Sequence, residues 1–213
     1  MRCPKTSEES VRYGRRSRSG ISGHFCVSSG MVHEEVVVVI GKTFLNSIAN
    51  GETDIVRLLL SLLEESGSMY CVIGGLGVNA YAEPVVSLDL DLVVVLDHIP
   101  RIRSAAEAKG MKVEEFEHSV NLSISGSDLR IQLQTDPRYQ NFLAHAELHD
   151  VLGYTMSVAS LADVLTGKIW AYSDETRRKS KRQKDLADIM RLVEGHPDLK
   201  DKLPADIAAQ LES

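Results

Sequence analysis

Two short motifs in this 213-residue chain carry residue types that could do chemistry together. Gly74-Gly75 follows the apolar run Tyr70-Cys71-Val72-Ile73, and Asp89-Leu90-Asp91 opens the next apolar run. In a strand, alternate side chains share a face. Asp89 and Asp91 therefore point the same way, about 6.5–7 Å apart along the backbone. Two carboxylates held so close raise each other's proton affinity unless positive charge lies between them. Hard oxygen donors suit Mg²⁺ or Mn²⁺, with water and phosphate oxygens completing the shell. Glycines without a Cβ let backbone N–H groups approach an anion, and with the helix start after them they form a phosphate cradle. The spacing thus predicts a metal held by Asp89 and Asp91 beside a phosphate seat at Gly74 and Gly75.

The elements that position these motifs are legible in outline. The apolar positions Ile55, Leu58, Leu59, Leu62 and Leu63 predict an amphipathic helix over 54–65. A strand follows at 70–73, and a helix is expected from Val78 to Tyr81, stopped at Glu83-Pro84. Leu88–Leu96 alternates strongly, with Asp89, Asp91, Val93 and Val95 on one face. Pro100–Lys109 reads as a helix closed by Gly110, and strands are expected at 112–117, 121–125 and 129–134. Beyond Ser160 the pattern is helical, over 161–171, 180–194 and after Pro204. Helices alternate with strands early, and strands then follow one another, which argues for a mixed α+β sheet. The expected division is a tail over residues 1–30, a core over 31–159 and a helical segment over 160–213. The tail is either a disordered basic segment or an extension upstream of a true start at Met31.

A second concentration of charge lies at 176–184, where six of nine residues are Lys or Arg. Lys168, Arg182 and Lys184 are candidates to face the cleft and meet a triphosphate or a nucleic-acid acceptor. The competing expectation is that Lys181–Asp185 and Lys184–Asp188 are ordinary helix-surface pairs. His145 and His149 stand four apart on a possible helix, a weak metal signal. No nucleophile elbow and no Walker A loop is present.

The run Val72–Tyr81, then Pro84, Ser87 and Asp89–Val94, resembles the nucleotidyltransferase superfamily with the DNA polymerase β-like fold. It is similar to small prokaryotic members that include minimal nucleotidyltransferases and abortive-infection toxin relatives. Residues 167–172 and 180–189 resemble the helical tail of that group. The resemblance implies a mixed sheet flanked by helices. It also implies transfer of a nucleoside monophosphate from a nucleoside triphosphate to an acceptor hydroxyl on a protein, a tRNA-like nucleic acid or a small molecule. Asp89 and Asp91 would hold the metal, and Gly74, Gly75 and Ser87 would receive the phosphates. The family pattern places a third carboxylate on a later strand. Here the matching strand, Leu129–Gln134, offers Arg130, Gln132 and Gln134 on its outward face; Asp128 and Asp136 only flank it. That departure leaves a second expectation: a degenerate nucleotide- or metal-binding module, one half of a toxin–antitoxin-like pair. A nucleic-acid-binding regulator built on the basic helix is a third.

Composition narrows the classes. The formal net charge is -6, yet residues 1–30 hold six basic and two acidic residues. A chain acidic overall with local basic clusters suits recognition of a phosphate-bearing ligand better than general coating of DNA. Three cysteines without regular spacing exclude a disulfide scaffold. No apolar run is long enough to cross a membrane and no leader is visible, so the expectation is a cytoplasmic protein without a membrane partner.

Overall fold

The computed structural model describes residues 54–211. The expectation for the 1–30 tail lies outside them. Helix α1 (Ile55–Glu65) begins at Asp54, whose carboxylate accepts from Arg57 N–H, and it buries Ile55, Val56, Leu59, Leu62 and Leu63. Strand β1 (Tyr70–Ile73) runs into helix α2 (Gly74–Val78). Strand β2 (Asp89–Val94) leads through a 3₁₀ turn to helix α3 (Ile99–Ala108). Three strands follow: β3 (Lys112–Phe116), β4 (Ser119–Ser123) and β5 (Arg130–Gln134). A 3₁₀ segment (Pro137–His145) precedes β6 (Glu147–Val151) and β7 (Tyr154–Val158). Helices α4 (Leu161–Ser173), α5 (Lys179–Gly195) and α6 (Ala205–Leu211) close the described chain.

The seven strands form one sheet in the order β3-β4-β5-β2-β1-β7-β6. It is mixed: β2–β5 and β1–β7 are parallel, the other pairings antiparallel. Period-2 alternation decides what each face of β2 carries. Leu90, Leu92 and Val94 are fully buried in the core with Ile131, Leu133 and Leu122 of the neighbouring strands. Asp89 and Asp91, on the other face, keep partial access to solvent. Helices α1 and α3 pack together, while α4 packs on α2 and α5. No helix among the described residues is long and apolar enough to cross a membrane.

Two expectations are corrected and one hairpin is added. The helix after β1 starts at Gly74 rather than Val78, so the glycines are its first turn and not a loop before it. His145 ends the 3₁₀ segment and His149 lies on β6, so the two do not share a helix face. The β6–β7 hairpin carries no strand expectation at all. Its turn, Leu152-Gly153, has both residues at positive φ (52° and 84°), a conformation usually announced by Asn-Gly. Here the Asp150 carboxylate secures it by accepting from Gly153 N–H at 2.9 Å.

Candidate functional site

The end of β1, the start of β2 and the middle of β5 converge on a cleft of about 320 Å³ roofed by α4 and the start of α5. Gly74 and the carboxylates Asp89 and Asp91 lie in its wall with Gln132, Gln134, Lys168, Arg177, Arg178 and Lys181. The two sequence motifs thus meet as expected. The contact between them is tight: Gly74 has φ +66°, and any Cβ there would overlap the Asp91 carboxylate. Glycine is required at this position both by the backbone and by the neighbour. Gly75 sits under Ser87, whose hydroxyl accepts from Asp89 N–H at 3.4 Å and donates to Asp89 C=O at 3.2 Å. Ser87 thereby fixes the start of β2 against the glycine turn.

The two aspartates differ. Asp89 is charge-compensated: Arg130 lies 2.6 Å from one carboxylate oxygen and Lys181 3.5 Å from the other. Asp91 has neither a hydrogen bond nor an ion pair among the described residues. Burial pushes its pKa up; the charge of Lys168 opposes this and that of Asp89 adds to it. A carboxylate without a partner at the wall of a cleft is a seat for positive charge.

Lys168 lines the cleft but is not free to serve it. Its ammonium lies 3.1 Å from Asp185 and 2.6 Å from Asp188, and all three side chains are buried. Arg177 joins Asp185 at 2.8 Å, and Arg191 joins Asp188 at 2.8 Å and reaches Asn79 at 3.0 Å. Asn79 in turn brackets both the N–H and the C=O of Val85. This network fastens α5 to α4 and to the loop between α2 and β2, and it carries Arg177 to the cleft. The expected surface pairs Lys181–Asp185 and Lys184–Asp188 do not form, because both aspartates turn inward. Arg182 lies away from the cleft, donating to Tyr172 C=O at 2.6 Å with its guanidinium over the Tyr172 ring. Lys184 does approach the glycine turn: its ammonium is 3.8 Å from where a Gly75 Cβ would be.

Replacing Lys168 with Met should cost about 3 kcal/mol, the low end for stranding buried carboxylates, because Arg177 and Arg191 still hold one oxygen each. Urea unfolding checks this; a change under 1 kcal/mol would show that the network contributes little.

Register settles the later strand. Asp89 lies beside Arg130, Asp91 beside Gln132 and Val93 beside Gln134. No acidic residue of β5 faces the cleft. Asp136 caps the 3₁₀ segment and is held by Arg138, which lowers its pKa, and neither Asp128 nor Asp136 is in the cleft wall. Gln134 lines the cleft, and its Oε1 accepts from Thr135 N–H (2.9 Å) and Asp136 N–H (3.1 Å).

Sequence reasoning missed two walls. Tyr139 and Phe142 form an apolar one, backed by Trp170, which stacks on Phe142 at 5.7 Å. Asp163 forms a polar one, accepting from Ser160 Oγ at 2.7 Å and paired with His145 at 3.1 Å. Ser160 and Asp163 carry a helix-start signature that gives no hint of a cleft. Cys71, buried in β1, has its thiol pushed up to about 12 by burial, which favours the neutral thiol.

The architecture has solved counterparts. ANT(2″)-Ia in complex with adenylyl-2″-tobramycin superposes with a TM-score of 0.53 at 16% identity, covering 74% of this chain and 95% of that one. The solution structure of the same antibiotic-resistance factor gives 0.50 at 13% identity, covering 73% and 86%. The fold is that of the DNA polymerase β-like nucleotidyltransferases. The lincosamide antibiotic adenylyltransferase LnuA, lincomycin-bound, gives a TM-score of 0.47 at 14% identity over 66% and 98% of the two chains. No protein-family model and no curated protein sequence matches. At these identities the likeness to nucleotidyltransferases is one of fold, and function has to be argued from the cleft.

Proposed function

We propose that the cleft binds a nucleoside triphosphate together with Mg²⁺ or Mn²⁺ and transfers the nucleoside monophosphate to an acceptor, releasing pyrophosphate. The observation that carries this is Asp91: a carboxylate without a hydrogen bond or ion pair among the described residues, pressed against Gly74 in a cleft whose other charged walls include Arg177, Arg178 and Lys181.

The residues fit one divalent ion. Asp89 and Asp91 are two hard oxygen donors on one face. Among the described residues no set of three or more His, Cys, Asp or Glu side chains is grouped to hold a metal. An ion held by these two would neutralise phosphate charge as it develops. The chain's own groups do the rest. First-turn N–H groups of α2 lack intrahelical partners and can donate to phosphate oxygens beside Gly74 and Gly75. Arg178, Lys181 and Lys184 offset the remaining phosphate charge, and Arg177 is aimed by Asp185. Tyr139 and Phe142 offer the nucleoside an apolar wall. Positioning and charge stabilisation then account for catalysis.

The test is incubation of the full chain with α-³²P-labelled triphosphates and Mg²⁺, alongside D89N and D91N. Label transfer or pyrophosphate release should occur in the parent and vanish in both variants. Activity that survives in both would defeat the proposal.

A second reading is a module that binds the nucleotide without transferring it, possessed by a chain acting with a partner as in a toxin–antitoxin pair. The observation favouring it is that Arg130, Gln132 and Gln134 stand beside β2 on the strand where a third carboxylate is expected. Magnesium-dependent nucleotide binding with no pyrophosphate release would select it.

A further inference from the structure

Strand β5 lines the cleft with Gln132 and Gln134, sets Arg130 beside Asp89, and offers no carboxylate. From this we infer that the acceptor is a small phosphate, free or as a monoester, whose anionic oxygen needs no base. The inference rests on the transfer reading above.

A hydroxyl acceptor must lose a proton as it attacks, and a nearby group must take it. Among the described residues the cleft supplies no ready group. Asp89 and Asp91 are the seats assigned to the metal. Asp185 is ion-paired with Lys168 and Arg177. Asp163 is engaged by Ser160 and His145. On the strand next to both aspartates, Arg130, Gln132 and Gln134 stand in register with Asp89, Asp91 and Val93. Arginine does not deprotonate in proteins, and a glutamine amide is no base. Gln134 lines the cleft and has spent its carbonyl on two backbone N–H groups, so what remains for a ligand is a donor. Arg130 pairs with Asp89 in the ligand-free chain yet is two-thirds exposed (66%), so its guanidinium has donors left for an incoming ligand. A row of guanidinium and amide donors selects an anion, and the planar fork of Arg suits phosphate oxygens.

The reaction balances without a proton transfer. An oxygen of the acceptor phosphate forms a bond to the α-phosphorus of the triphosphate. The bond from the α-phosphorus to the oxygen bridging to the β-phosphate breaks. Its electron pair leaves with pyrophosphate. The product is a mixed phosphoanhydride joining the acceptor to the nucleoside monophosphate.

The simplest acceptor of this kind is orthophosphate, so the test begins there. Full-length protein is incubated with unlabelled ATP, CTP, GTP and UTP, Mg²⁺ and ³²P-orthophosphate. The expected product is nucleoside diphosphate labelled in its β-phosphate, which hydrolysis of the triphosphate cannot produce. In parallel, glycerol 3-phosphate and glycerol are compared as acceptors with α-³²P-labelled triphosphate, and glycerol 3-phosphate should be preferred at least tenfold. In R130A the KM for glycerol 3-phosphate should rise at least tenfold, with a smaller change in kcat. Labelling of glycerol without glycerol 3-phosphate or orthophosphate would overturn the inference while leaving transfer intact. Magnesium-dependent nucleotide binding with no transfer to any of the three would overturn it in favour of the binding module. Labelling confined to a 5′-phosphorylated oligonucleotide would overturn the small-acceptor assignment. A KM unchanged in R130A would overturn the role of that arginine.

Discussion

Replacing Asp91 with Asn is expected to move two readouts in opposite directions. Nucleotide binding in Mg²⁺ and any transfer should fall by at least about 10²-fold, because even groups one shell removed from a metal cost 10–100-fold when lost. The ligand-free protein should at the same time melt higher. A half-buried carboxylate without a hydrogen bond or ion pair is destabilising, and the neutral amide relieves it. In a chain of this size each kcal/mol is worth about 2–4 °C in Tm. The sign follows from the raised pKa. Below the ordinary value the carboxyl is protonated in both folded and unfolded chains. Between that value and the raised folded one, the folded chain keeps a proton the unfolded chain has lost. Stability therefore falls as pH rises through this window and stays lower above it. Thermal melts of parent and D91N across that window, without metal, should diverge as pH rises. A D91N protein that melts lower than the parent at neutral pH would show that Asp91 has a structural partner instead.

The second large effect is at Gly74. A Cβ there would overlap the Asp91 carboxylate and lie 2.8 Å from its Cγ, and the backbone φ of +66° disfavours any L side chain. The left-handed conformation alone costs roughly 1–2 kcal/mol. Displacing the carboxylate adds about 1–3 kcal/mol of overpacking. G74A should therefore lose about 3 kcal/mol in urea unfolding, and with it nucleotide binding. G75A is the control one residue away. Its Cβ would meet Ser87 Oγ at 3.3 Å and the mobile end of Lys184 at 3.8 Å, so a stability change under about 1 kcal/mol is expected. Equal losses in the two variants would mean that the close approach at Gly74 has no special role.

The contrast between these glycines shows what spacing carries and what it omits. Alternation made β2 legible: Asp89 and Asp91 share a face because a strand has period 2, and the register with β5 put Arg130, Gln132 and Gln134 on the side that alternation predicts. The glycines misled in one respect. Low helix propensity argued for a break at Gly74-Gly75, yet contacts with β2 and α4 hold them as the first turn of α2. Lys181 and Lys184 stand four residues from Asp185 and Asp188, but the aspartates answer to Lys168 on another helix. Partners distant in sequence leave no periodic trace. The same holds for the aromatic wall at Tyr139 and Phe142, and for a hairpin whose turn uses Leu152 where Asn is usual.

The central claim is that Asp91, beside Gly74, seats a metal-bound triphosphate. It is tested most directly by isothermal titration calorimetry of the full-length chain with α,β-methylene triphosphate analogues of the four bases. At least one analogue should bind saturably in Mg²⁺, at least tenfold more weakly in EDTA, and not at all to D91N. Binding of equal strength in Mg²⁺, in EDTA and in D91N, or no binding of any analogue, would contradict it.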